Sequence, residues 1–264
     1  MHRLGPEQPI PAVAMTYQFI AFHTMTRGTE KPAYVVNCAK ALADRGIRVL
    51  VLDGLMYEQG AIPHRLHDIL GAAPVREPGR NLYDLIRDYE TLCSNGGGPP
   101  RERDNTLIAR LRAPGTRFYR GLLYPDIVER LSEIPGYPAI GYLPGNDGRV
   151  AEVRKRIDFQ WLYDEHDGHR FFDYIRATLS ESFELILINA PAGHQEISGI
   201  LCGQVADLIL AIDSDSPAVE TDVSYEACKR LALRADESEH RRIDVKGVKG
   251  HSVPQVIDMI VGGA

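Results

Sequence analysis

His23-Thr-Met-Thr-Arg-Gly-Thr-Glu-Lys-Pro-Ala-Tyr-Val-Val-Asn-Cys-Ala-Lys-Ala-Leu-Ala-Asp-Arg-Gly46 decides how this chain of 264 residues folds. Ahead of it runs Tyr17-Gln-Phe-Ile-Ala-Phe22, a short β-branched and aromatic run that suits a buried strand. Within it, Ala33, Val35, Val36, Ala39 and Leu42 fall on one helical face, and Gly46 supplies a helix stop. Ile47-Arg-Val-Leu-Val-Leu-Asp53 then reads as a second strand. A strand–loop–helix–strand unit of this kind turns the loop's backbone N–H groups and the helix N-terminus toward an anion. That use needs small residues able to adopt positive φ. Gly28 is one, but Arg27 and Glu30 stand where glycines would serve best, and Lys31 is the cation that remains.

Outward from this unit, residues 1–15 read as a flexible leader and 16–264 as a single α/β domain with a variable insertion around 54–138. Pro63, Pro74, Pro78 and several glycines mark 54–80 as loop with one helical turn around His64–Leu70. Leu82, Leu85, Ile86, Tyr89 and Leu92 form a helical stripe. Asn95 to Asp104, rich in glycine and proline, reads as a flexible surface excursion, and Tyr124–Ile134 as a helix ending at Pro135. Ala139–Pro144 suggests a short strand, Phe171–Leu179 a helix, and Phe183–Asn189 and Ala206–Asp213 two buried strands. Strands alternating with helices imply a parallel sheet covered on both faces, with right-handed crossovers. Ligands of such sheets sit at the carboxyl ends of the strands. Residues 23–32, 53–60 and 189–194 are therefore expected to meet on one rim.

Composition narrows the function. A net charge of −6 argues against a strongly basic nucleic-acid surface. The C-terminal cations (Lys229, Arg230, Arg234, Arg241, Arg242, Lys246, Lys249) are diluted by Asp236, Glu237 and Glu239, which suits a solvated face. Cys38, Cys93, Cys202 and Cys228 show no CxxC or zinc-ligand spacing and read as buried thiols in a reducing cytoplasm. Met1 to Ala14 lacks the apolar region of a signal peptide, and no apolar run reaches the length of a membrane span. His166 and His169, among Asp164, Glu165 and Asp167, read as a solvated acidic helix start rather than a metal cluster, and His194 as a polar loop histidine. The aromatics of Arg117–Tyr124 suit either a core or a partner-binding patch.

Asn37-Cys-Ala-Lys-Ala-Leu-Ala-Asp-Arg-Gly-Ile-Arg-Val-Leu-Val-Leu-Asp53 resembles the N-x-A-x-x-L-A-x-x-G-x-x-V-L-x-x-D pattern of the ParA/MinD superfamily of deviant P-loop ATPases. Ile157–Phe172 resembles a segment of the bacterial branch whose loop reads roughly K-G-G-V-G-R/K-S/T. The resemblance implies a three-layer P-loop NTPase-like fold with a mostly parallel sheet. It covers Phe19 to about Gly60 and Arg156 to about Leu210, with Gly54–Val153 and the C-terminal tail weakly matched.

Carried over residue by residue, the same resemblance implies lost chemistry. An ATPase of this class needs an amide nest, a lysine on the phosphates, a hydroxyl and carboxylate for Mg²⁺, and a group that orients water. The family's signature lysine falls at Thr26, and its Mg²⁺ hydroxyl at Pro32, which offers no ligand and removes an N–H from the helix end. The second strand's D-x-D appears as Asp53-Gly-Leu55, with Glu58 a displaced substitute, and the third motif's D-x-x-x-G as Asn189-Ala-Pro-Ala-Gly193. The resemblance thus implies a pseudo-ATPase scaffold for protein–protein interaction, with a protein partner or a nucleotide-independent homodimer. No catalytic or metal-ligating residue is assigned. Gly28, Thr29, Lys31 and Gly193 form a residual nucleotide site. ATP without hydrolysis is the alternative to an empty loop in which Lys31 pairs with Glu30 or another carboxylate. Two other functions stay open: an ATP-binding switch with slow hydrolysis, and an enzyme reusing the rim through His23, Glu30, Asn189 and His194.

Overall fold

The computed structural model of the chain describes residues 15–25, 30–58, 60–74, 81–94, 116–119, 122–146, 156–193, 195–212, 223–239 and 242–262. Strand β1 (Phe19–His23), helix α1 (Glu30–Ala43) and strand β2 (Val49–Asp53) form the opening unit that the sequence predicts. They join β5 (Ser132–Glu133), β6 (Ile140–Leu143), β7 (Leu185–Asn189), β8 (Leu208–Ala211) and β9 (Asp244–Gly247) in a seven-stranded sheet of order β5-β6-β2-β7-β1-β8-β9. All neighbours run parallel except β5 against β6. Strands β3 (Thr116–Tyr119) and β4 (Leu122–Pro125) make a separate antiparallel pair.

The strands' period of two sends alternate side chains into two cores. Ile20, Phe22, Val49, Val51, Leu185, Leu187, Leu208 and Leu210 pack on one face, against α1, α2 (Ile62–Leu70) and α8 (Val253–Val261). Phe19, Ala21, Leu50, Leu52, Ile186, Ile188 and Ile209 pack on the other. There they meet α3 (Leu82–Ser94), α4 (Phe159–Glu165), α5 (Gly168–Ser182), α6 (Glu196–Ile200) and α7 (Val223–Glu239). Parallel strands buried on both faces need near-continuous apolar runs, and β2 and β7 supply them as VLVLD and LILIN. The polar residue closing each run marks the strand's carboxyl end.

Two readings of the sequence need correction. The stretch around His64–Leu70 is a nine-residue helix, not a single turn. Ile62, Leu66 and Leu70 bury at i, i+4, i+8, Pro63 sits in the first turn, and Gly71 closes the helix at φ 70. Tyr124–Ile134 is not a helix: β4 runs to Pro125, a 3-10 turn spans Val128–Arg130, and β5 follows. Tyr124, Ile127, Leu131 and Ile134 have helical spacing, but Leu131 turns extended so that Ser132–Glu133 can pair with β6. The C-terminal tail adds β9 to the sheet edge and α8 to the α1 face, with a Ser252–Gln255 capping box. Residues 1–14, 95–104 and 120–121 lie outside the described residues, as do the side chains of 116–123; Tyr124 is core.

Candidate functional site

His23, Asp53 and Asn189 are the last residues of β1, β2 and β7, and Asp53 and Asn189 are register partners. The described strand ends therefore meet at one carboxyl rim, as expected. The pleat sorts them. Asp53 and Asn189 continue the rows of Val49/Val51 and Leu185/Leu187, so they face α1, while His23 continues the row of Phe19/Ala21 toward α7.

Lys31 enters this cluster from the first turn of α1 and is only 6 % exposed. Its Nζ donates to the carbonyl oxygen of Ala190, just past β7. Asp53 is 2 % exposed, and its Oδ1 accepts from Asn189 Nδ2 at 2.8 Å and from Leu55 N at 3.2 Å. Gly60 packs so closely that a Cβ there would sit 2.3 Å from Asp53 Oδ2. Asn189 Oδ1 is buried without a hydrogen-bond partner among the described residues.

Burial governs both charges. It lowers Lys31 to about 8, against smaller raising effects of Cys202 and Asp53. It raises Asp53 to about 6, opposed by the hydrogen bonds from Asn189 and Leu55 and by Lys31. At neutral pH the site therefore holds a buried ammonium beside a buried carboxylate. The sign for Asp53 is the reverse of an ordinary paired carboxylate. Its folded pKa lies above its unfolded value, so its contribution to stability grows as pH falls from about 6 toward 4. Asp53→Asn cannot titrate there. The stability of Asp53→Asn relative to wild type should fall by on the order of 2–3 kcal/mol between pH 7 and pH 4 in urea titrations. A pH-independent difference would refute the buried, proton-binding Asp53.

Several expected roles change at this rim. Lys31 does not pair with Glu30: consecutive helical residues point about 100° apart, and Glu30 is exposed while Lys31 is buried. Gly193, at φ 75, donates its N–H to Thr24 O at 3.0 Å, so that donor is committed within the protein and not presented to a phosphate. Glu58 lines a cavity of about 340 Å³ with Tyr57, Arg156, Phe159 and Glu196. A neighbouring cavity of about 630 Å³ lies between α3 and the start of α4. His23 and Asn189 face opposite layers of the sheet. Thr26, Arg27, Gly28, Thr29 and His194 lie outside the described residues.

His166 is buried against Trp161, with ring centroids 4.0 Å apart, while His169 is exposed near the start of α5. Among the described residues no group of three or more His, Cys, Asp or Glu side chains could hold a metal. No described helix is long and apolar enough to cross a membrane. All four cysteines are buried and free. Sequence spacing marks Asp53 only as an alignment anchor and misses Cys202 and the contact between His23 and Cys228. The signal it does carry is positional: a lone polar residue ending an apolar strand on the ligand-binding rim.

No protein-family model and no curated protein matches this chain. Solved structures do. Apo McdA from Cyanothece aligns over 93% of this chain and 82% of its own, at 15% identity and a TM-score of 0.54. A Cyanothece McdA–ATP complex aligns over 93% and 79%, at 14% identity and a TM-score of 0.52. A ParA family ATPase from Chlorobium tepidum TLS covers 93% and 80%, at 14% identity and a TM-score of 0.49. The chain shares the α/β fold of the two McdA structures.

Proposed function

We propose that this chain is a ParA/MinD-like pseudo-ATPase, a protein-interaction scaffold that turns over little or no ATP. The observation that carries this reading is Lys31, the cation a phosphate would need, buried and bonded to Ala190 O beside Asp53. Pro32, Leu55 and Asn189 support it, since none offers the hydroxyl or carboxylate that Mg²⁺ and the attacking water require. The role left to such a fold is recognition of a protein partner or of a second copy, in the cytoplasm and without nucleic acid.

Isothermal titration with ATP, ADP and GTP, with and without Mg²⁺, is expected to give no saturable binding. Light scattering is expected to return the same mass with and without Mg-ATP. Micromolar binding, about −8 kcal/mol, or a mass that changes with nucleotide, transfers the assignment to an ATP-binding switch. One observation favours that second reading: α1 begins at the sheet's carboxyl rim, where its N-terminus suits a phosphate.

A further inference from the structure

The seven-stranded sheet ends on one side at β5, which is two residues long, and on the other at the four-residue β9. Along β9 the backbone groups alternate in direction. Asp244 N donates to Asp207 O at 3.1 Å and Val248 N to Ala211 O at 2.8 Å, so Asp244, Lys246 and Val248 turn their backbone groups toward β8. Ile243, Val245 and Gly247 alternate with them and turn theirs outward. Among the described residues nothing pairs with that outer edge. Native sheets blunt such an edge with proline, a bulge or a lysine. β9 has no proline, and its lysine is drawn back onto its own chain. Lys246 Nζ donates to Met259 O at 3.1 Å and lies 5.5 Å from the centre of the Tyr17 ring. Asp244 shares that face and accepts from the Tyr17 hydroxyl.

We propose that β9 pairs with β9 of a second copy, antiparallel about a two-fold axis at Val245, so that the two sheets become one. A two-fold contact needs a surface complementary to itself, and the sequence of β9 is so in this register. Val245 meets its own copy as a hydrogen-bonded pair, and Ile243 meets Gly247 of the second copy in the same way. The outward N–H and C=O groups of all three residues are then satisfied, in about six inter-strand bonds. The intervening positions set Asp244 opposite Lys246 of the second copy, and Lys246 opposite Asp244, at Cα separations of about 4.5 Å. Moving the axis to Asp244 or to Lys246 would set like charges opposite each other, which disfavours those registers. A foreign strand would fill the same hydrogen bonds, but the self-complementary charge order singles out a second copy. Helices α7 and α8 cover the two faces of β9, so each approaches its own copy across the axis. The proposal names the second copy within the scaffold reading above, and it rests on that reading for a dimer that nucleotide does not control.

The test follows the mass of the full chain by light scattering through a dilution series, with and without Mg-ATP, and reads amide exchange by NMR. Twice the chain mass is expected at high concentration in both conditions. The amides of Val245 and Gly247 should exchange at least about tenfold more slowly in the dimer than in the diluted monomer. Those of Asp244 and Lys246, held by β8, should stay protected in both. Val245→Pro removes one outward donor from each copy and leaves the bonds to β8 intact, since an edge strand tolerates proline where its N–H faces away from the sheet. It should raise the dimer dissociation constant on the order of a hundredfold. A monomer at every concentration overturns the pairing and leaves the pseudo-ATPase assignment standing, whereas a dimer that forms only with Mg-ATP overturns both. A nucleotide-independent dimer whose Val245 and Gly247 amides exchange as in the monomer is joined elsewhere and overturns the pairing, whether or not Val245→Pro folds. An unchanged dissociation constant in a folded Val245→Pro variant overturns it as well.

Discussion

Asp53→Ala is expected to cost about 1–3 kcal/mol of folding stability, and adding Lys31→Met to return part of that loss. Alanine leaves the Lys31 ammonium buried with one carbonyl acceptor and no counter-charge, and it strips Asn189 Nδ2 and Leu55 N of their acceptor. A buried charge without its partner costs more than the intact pair contributes, because its lost hydration is no longer offset. Methionine fills much of the volume of the lysine stem and removes the charge. The double variant should therefore be more stable than Asp53→Ala alone, although it carries more substitutions. Urea unfolding of wild type, both single variants and the double variant closes the cycle. Additive single effects would mean that Lys31 and Asp53 do not act as a pair, and the account of the rim would fail with them.

The fold is legible where local patterns and tertiary demands agree. VLVLD and LILIN can bury both faces only inside a parallel sheet, and the residues around Asn37 fix the helix between two such strands. Legibility fails where one pattern serves two structures. The spacing of Tyr124, Ile127, Leu131 and Ile134 fits a helix, yet the free edge of β6 recruits Ser132–Glu133 as a strand. Pro63 reads as a loop marker although it begins a helix, since proline serves both uses and only the apolar residues following it decide.

The site is legible in position and opaque in connectivity. Spacing along the chain places Lys31, Asp53, Asn189 and Gly193 on one rim because each follows or ends a strand. It cannot give the direction of Lys31, which depends on whether α1 turns that residue toward the sheet or toward the loop. Nor can it show Gly193 N bonded to Thr24 O, or Cys228 meeting a histidine 205 positions earlier in the chain. Those contacts depend on how strand ends and crossover helices are juxtaposed, information that no local window contains.

Reversing two positions in the first turn of α1 gives the largest expected change in function. The natural chain is expected to hydrolyse ATP at background rate and to bind Mg-nucleotide no more tightly than about 1 mM, or about −4 kcal/mol. Glu30 adds negative charge at the helix end an anion would approach, and Pro32 lacks both a hydroxyl and an N–H. Glu30→Gly with Pro32→Thr removes that charge, restores one N–H and supplies a hydroxyl for Mg²⁺. Binding then competes with the existing bond from Lys31 to Ala190 O, so the gain should be roughly tenfold to a hundredfold rather than the full affinity of an open site. Adding Lys31→Ala should abolish the gain, which separates specific phosphate binding from loosened structure. Turnover should stay at background in the reversed variant as well, because Leu55 and Asn189 still provide no carboxylate to the metal or the water. Titration calorimetry reads the affinity, and a phosphate-release assay reads the turnover. Tight Mg-ATP binding by the natural chain, or hydrolysis that disappears with Lys31→Ala alone, would mean that Lys31 leaves its buried position to engage phosphate, and the pseudo-ATPase reading would give way to a working nucleotide switch.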